Sequence, residues 1–152
     1  MSDRPATDEI RRIAQRYLEE PGAQLEPQLV DAAAGSPLEV RTVEDDPAYW
    51  LVPAFNGEIL VGAVRVSLLG ALISVGKLDP ARSGPVVTGI TAAEARSRAT
   101  ASVDRAAGEE AGEPILACDG PPGREVWLVH VERDHRPVRR LFVGPGGIYP
   151  MR

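Results

Sequence analysis

Apolar positions along the chain change their period several times, and each change predicts an element. Ile10, Ile13, Ala14, Tyr17 and Leu18 fall at i, i+3, i+4, i+7 and i+8, which places them on one face of a helix over Thr7–Glu20. Thr7 stands where an N-cap is expected, Asp8 and Glu9 occupy the first turn, and Pro21-Gly22 stops the helix. Ala23–Pro37 reads as a connector with two prolines and a short turn at Pro27–Ala34. Alternation then takes over. Strands are predicted at Leu38–Val43, Tyr49–Phe55, Ile59–Ser67 and Ala71–Val75, with turns at Asp45-Asp46-Pro47, Asn56-Gly57 and Gly70. Asn-Gly tolerates the positive φ that a two-residue hairpin loop demands. After a linker over Leu78–Gly89, Thr91 and Glu94 form a T-x-x-E capping box that opens a second helix, predicted to run to Gly108. Strands follow at Pro114–Cys118, Glu125–Glu132, Pro137–Val143 and Ile148–Met151.

The two strand-rich stretches match at an offset of 77 residues. Tyr49-Trp50-Leu51-Val52 aligns with Val126-Trp127-Leu128-Val129, Val61–Val66 with Val138–Val143, and Gly70 with Gly147. A recurrence of this size predicts a duplicated unit. The expected fold class is α+β: two repeated units, each one helix packed on a four-stranded antiparallel sheet. The first unit is set at residues 1–77, the linker at 78–89 and the second unit at 90–152. Period two places Trp50, Val52 and Ala54 on one face of the first sheet and Trp127, Val129 and Val131 on one face of the second. The opposite face of the first unit is apolar, with Leu51, Pro53 and Phe55. Such a face needs a cover, and these three residues are the candidate interface to a partner or a second copy.

The run Ile90-Thr91-Ala92-Ala93-Glu94-Ala95, followed by a strand, a W-L-V strand, a further strand and a glycine-led end, resembles a PepSY domain. Val66–Ile73 is similar to that family's closing strand–turn–strand. The resemblance covers most of both stretches and rests on short motifs. It implies a cystatin-like fold and a non-catalytic module, associated in that family with peptidase propeptides, inhibition and partner binding. It transfers no catalytic residue.

Composition narrows the function classes. The 152 residues are 43% apolar and 26% charged, a globular balance sufficient for one ordinary domain or two small ones. The apolar stretch Ile59–Leu72 is interrupted by Arg65, Ser67 and two glycines, so no membrane span is expected. The opening MSDRPATDEI lacks an apolar core, and a cytoplasmic location is expected. The net charge is −5, with −6 on residues 1–76 and +1 on residues 77–152. Arg133, Arg136, Arg139 and Arg140 cluster near His135 but read as a solvated hairpin end, and no nucleic-acid partner is expected. Cys118 is the only cysteine, which excludes an intrachain disulfide and a cysteine-rich zinc site. With two histidines besides, no metal and no cofactor are expected.

Asp134-His135 has the composition of a base and its orienting acid, but adjacent residues in a hairpin tip are read as turn chemistry. Gly144-Pro-Gly-Gly147 lacks the lysine and following helix of a phosphate loop and reads as a β-turn. Mid-strand His130 is read as a structural histidine, with Glu132, Arg139 or Arg140 as partner. The leading expectation is a non-catalytic binding or structural module for a protein or peptide, or a self-associating one. The alternative is a small-molecule-binding protein or enzyme with a pocket between the second helix and its sheet. There the alanine-rich helix face (Ala92, Ala95, Ala99) leaves room, and His130, Arg139 and Arg140 supply polar contacts.

Overall fold

A computed structural model describes residues 5–78, 86–118 and 120–150. Helix α1 (Thr7–Glu19) is followed by the short α2 (Pro21–Gln24), a 3-10 turn at Pro27–Leu29, and strands β1 (Ala33–Ala34), β2 (Leu38–Thr42), β3 (Pro47–Asn56), β4 (Ile59–Ser67) and β5 (Leu72–Lys77). Helix α3 (Ala92–Thr100) leads through a 3-10 turn at Arg105–Ala107 to β6 (Glu109–Ala111), β7 (Ile115–Cys118), β8 (Glu125–Arg133), β9 (Arg136–Gly144) and β10 (Gly147–Pro150). Most of the expected linker, residues 79–85, and the expected strand end at Met151 lie outside the described residues.

The expected fold class is overturned. The chain is 44% strand against 23% helix. Its ten strands form one mixed sheet in the order β10-β9-β8-β7-β2-β3-β4-β5, with β1 added on β3 and β6 on β8. There are not two helix-on-four-strand units. The joint is the pairing of β2 with β7, which is parallel, with Arg41 opposite Ala117 and Thr42 opposite Cys118. Each of these strands pairs with its antiparallel neighbour on one side, which leaves a row of unpaired amides and carbonyls on the other. Joining the two rows removes two open edges at once. Alternation within a strand carries no information about its neighbour across an edge, so the sequence pattern was blind to this step.

The parallel joint also decides where the helices sit. Paired residues in neighbouring strands point to the same face. Following the register from Trp50 through Glu39 and Arg41 to Ala117 and Val126 puts Trp50 on the face opposite Trp127. Accordingly α1 buries Ile10, Ile13, Ala14 and Leu18 against Trp50, Val52 and Ala54 on one face. Helix α3 buries Ala95 and Ala99 against Val129, Val131 and Val143 on the other. The Trp127 indole donates from Nε1 to the Ile90 carbonyl at 3.0 Å, tying the approach to α3 onto the sheet.

Local chemistry sets the boundaries. The first helix is capped by Ala6, with no side-chain cap bond. Thr7 is already helical, so its hydroxyl does not fill the capping role assigned to it. The capping box of α3 forms as expected: Thr91 Oγ1 accepts from the Glu94 amide at 3.1 Å and Glu94 accepts from the Thr91 amide. This helix ends at Thr100 rather than Gly108. Asp104 Oδ1 accepts from the Ala107 amide at 3.2 Å, which starts a separate 3-10 turn that Gly108 closes at φ +81°. Asp134 and His135 have φ of +53° and +62°. They are the two central residues of the β8–β9 turn, which accounts for their polar character.

Strands β1 and β6 were not expected. Each is followed by Gly-x-Pro (Gly35-Ser36-Pro37 and Gly112-Glu113-Pro114). The Gly35 amide donates to Pro53 O at 2.7 Å and the Gly112 amide to His130 O at 2.8 Å. The proline then withholds its donor, and the ladder resumes with β2 and β7. Register recurs across the joint. Trp50 faces Val66 and Trp127 faces Val143, and a bulge follows both Ala54 and Val131.

Ala95 and Ala99 are fully buried, so the small side chains of α3 bring the helix down onto the sheet. Ala99→Leu is expected to overpack this seam and lower the unfolding free energy by about 1–3 kcal/mol, read from the midpoint of urea denaturation at unchanged slope.

Candidate functional site

Glu125 opens β8, and its side chain is 6% exposed. It lies on the Trp127 face, as do Tyr49 at the start of β3 and Arg65 near the end of β4. Adjacent strands are about 4.8 Å apart, so β8 and β4, four steps apart in the sheet, would be separated by about 19 Å if the sheet were flat. Instead Arg65 Nε donates to Glu125 Oε1 at 2.6 Å, Arg65 Nη2 to Oε2 at 3.1 Å, and the Tyr49 hydroxyl to Oε1 at 2.7 Å. The sheet therefore coils strongly toward this face, and the two-pronged ion pair holds the coil.

The electrostatics of this cluster are those of a clamp. Burial pushes the Glu125 carboxyl up, but Arg65 and Tyr49 outweigh it and hold it below the usual carboxylate range. Burial, with Cys118 and Glu125 beside it, raises the Tyr49 phenol well above its ordinary value. Burial acts to lower the Arg65 guanidinium, and Glu125 reverses that. At neutral pH the phenol stays protonated, the acid ionised and the guanidinium charged, with their bonds directed at one another. Neither Tyr49 nor Glu125 is poised to exchange a proton with a substrate near pH 7.

A second acid, Glu109 of β6, is 5% exposed. It accepts from the Asp104 amide at 2.8 Å and from Arg139 Nη1 at 2.5 Å, with Arg133 at 3.6 Å. The backbone bond from Asp104, then Arg139, holds its carboxyl below the usual range. Arg139 also donates to Ser102 O, and Arg140 donates to Val43 O at 3.1 Å. Three of the four clustered arginines thus bind their own chain.

The residues proposed from sequence are distributed differently from the expectation. Leu51 is 1% exposed and packs in a core with Val40, Ala63 and Leu116, against which Leu78 and Val87 rest. Pro53 is buried and Phe55 half-buried. A Cβ placed on Gly35 would lie 2.7 Å from Phe55 Cε2, so the connector backbone runs against that ring. The apolar second face is covered by the chain's own connector and linker. It is core and not a free surface.

His130 is half-buried opposite Arg140 on one face, whereas Arg139 lies opposite Val131 on the other. The structure brings two of these three residues together and separates the third. Ala95 and Ala99 are fully buried against the sheet, so the alanine face itself leaves no space, and a cleft opens instead beside the end of α3, at β6. Cys118 Sγ donates to Gly120 O at 2.9 Å.

Tyr49, Arg65 and Glu125 were missed. The available signal was Arg65 itself, one charge inside Val61-Gly-Ala-Val-Arg-Val66, at a position the alternation assigns to a covered face.

Two open clefts are prominent. One of about 620 Å³ lies between Arg124–Val126 and the β9–β10 turn with Ile148 and Tyr149. The other, of about 530 Å³, lies beside the end of α3 and β6, lined by Arg96, Thr100, Arg105 and Glu109 among others. Among the described residues no group of three His, Cys, Asp or Glu is placed to hold a metal ion, and no helix is long and apolar enough to cross a membrane. No protein-family model, curated protein or solved structure matches the chain.

Glu125→Gln strands a largely buried guanidinium and is expected to cost about 2–4 kcal/mol of stability. The folded carboxyl titrates below the unfolded value of about 4.3. Its contribution is therefore complete above that value and is lost as pH falls through the folded one. Wild-type stability, followed by denaturant unfolding from pH 6 downward, is expected to drop more steeply than that of the variant.

Proposed function

We propose that the protein is a binding module that takes an extended polypeptide segment along the outer edge of β5. One observation carries this reading. Strand β5 ends the sheet, and among the described residues no strand pairs with its outer edge, where the Leu72 amide donates to the Tyr17 hydroxyl at 3.2 Å. That edge is flanked by Leu69, Leu72 and Ile73, which are 78%, 42% and 40% exposed. An unpaired edge offers main-chain donors and acceptors to an incoming strand, and neighbouring apolar side chains supply selectivity. The only charge on β5 is Lys77, which already sits 3.5 Å from Glu26. The favoured segment is therefore uncharged and rich in β-branched residues. The resemblance to PepSY domains supports the non-catalytic part of the reading. So does the Tyr49–Arg65–Glu125 cluster, whose polar groups serve one another.

Panning random linear peptides on the folded protein tests it. Uncharged, strand-prone sequences are expected to be enriched. Ile73→Lys, a surface change, is expected to weaken them about tenfold, or ~1.4 kcal/mol. Light scattering runs alongside, because a dimer that Ile73→Lys dissociates would assign the edge to a second copy instead. A monomer that enriches no peptide would overturn the reading.

A further inference from the structure

The cleft beside the β9–β10 turn lies at the other end of the sheet from β5 and shares only Glu125 with the clamp. Its wall is held in place: Arg98 of α3 donates to Gly144 O at 3.0 Å and to Pro145 O at 3.4 Å. This fixes the turn before any ligand arrives, which removes an ordering cost from binding. Its volume, about 620 Å³, falls in the range of small-molecule sites, about 300–1,000 Å³.

The lining has a definite chemistry. Val126 and the ring of Tyr149, which is 43% exposed, share one face of the sheet and give apolar surface, while Ile148 turns to the other face and packs with the α3 core. Two lining residues are charged. Glu125 is neutralised by Arg65 on the side away from solvent. Arg124 is exposed and has no hydrogen-bond or ion-pair partner among the described residues. Among the described residues the cleft is thus left with one uncompensated positive charge. Glycine at 144 and 146 is demanded neither by backbone nor by packing: neither has positive φ, and a Cβ at either would meet nothing within 4 Å. Their effect is to keep the wall bare.

We propose that this cleft binds a small monocarboxylate with a flat apolar body. The carboxylate pairs with the Arg124 guanidinium, whose planar fork matches it with two parallel hydrogen bonds. The body lies against Val126 and the Tyr149 ring. A single free cation fits one carboxylate better than the several charges of a polyphosphate. The proposal stands apart from the edge-strand reading, because neither the residues nor the ligand class overlap.

The test is a 1H–15N NMR titration of the whole chain with 2-naphthoate, paired with the neutral 2-naphthalenemethanol. Naphthoate is expected to shift the amides of residues 123–126 and 144–149, and to bind about fivefold more tightly than the alcohol. Arg124→Gln is expected to make the two ligands equal, while Arg136→Gln, at an exposed arginine outside the cleft, leaves the preference intact. Shifts scattered over the surface, equal binding of both ligands by the wild type, absence of shifts, or an Arg124→Gln variant that keeps the preference would each overturn it. Because Arg124 is exposed, a well-dispersed spectrum of the variant separates lost binding from lost folding.

Discussion

The coil of the sheet is held by one charge pair and its phenol. Arg65 and Tyr49 belong to the first half of the chain and Glu125 to the second, 60 and 76 residues away. The parallel pairing of β2 with β7 joins the halves edge to edge, but its recorded register is two residue pairs long. The clamp reaches over that joint and fixes the angle at which the outer strands meet. With the coil in place, Leu51, Val40 and Leu116 close into a core with Trp127 on their flank. Without it those side chains would lie on a flatter, wetter face. A buried ion pair does not by itself make a protein stable, since desolvation opposes the attraction. Here its geometric role stands out: it selects one curvature among those a twisted sheet can adopt.

The same economy explains why charged side chains are abundant and yet mostly committed. Glu109 gathers Arg139, Arg133 and the Asp104 amide, fastening the turn after α3 to the β8–β9 hairpin. Arg98 fastens α3 to the β9–β10 turn. Arg140 reaches Val43 across the joint. An arginine-rich hairpin that looks like a surface for anions is to a large extent a set of struts. Arg124 differs from them in having no such tie among the described residues.

Elements governed by local chemistry were legible in the sequence. The spacing of Ile10, Ile13, Ala14 and Leu18 marked α1 and its buried face, Thr91 and Glu94 marked the start of α3, and Asn56-Gly57 marked a hairpin whose Gly57 has φ +62°. What was hidden depends on partners remote in the chain. Alternation in β2 and β7 looks the same whether they pair with each other or face water, so the single sheet could not be read. Strands of two and three residues, β1 and β6, are too short for a period to show. The alanine face of α3 was taken for a space when it is a close contact, because residue size leaves the helix-to-sheet distance open. Leu51, Pro53 and Phe55 were apolar for the ordinary reason that the chain covers them. The cluster around Glu125 is built from residues whose proximity exists only once the sheet has coiled.

The placement of the two helices has a geometric consequence. Because α1 and α3 ride on opposite surfaces of one slab, each broad surface carries a helix over one half, the half opposite α1 being filled by the connector and linker, with the step falling near the β2–β7 seam. A flat partner laid on either surface would strike that step midway and could seat on no more than one half. Lengthwise contact is obstructed on both sides, and the unobstructed directions of approach are at the rims.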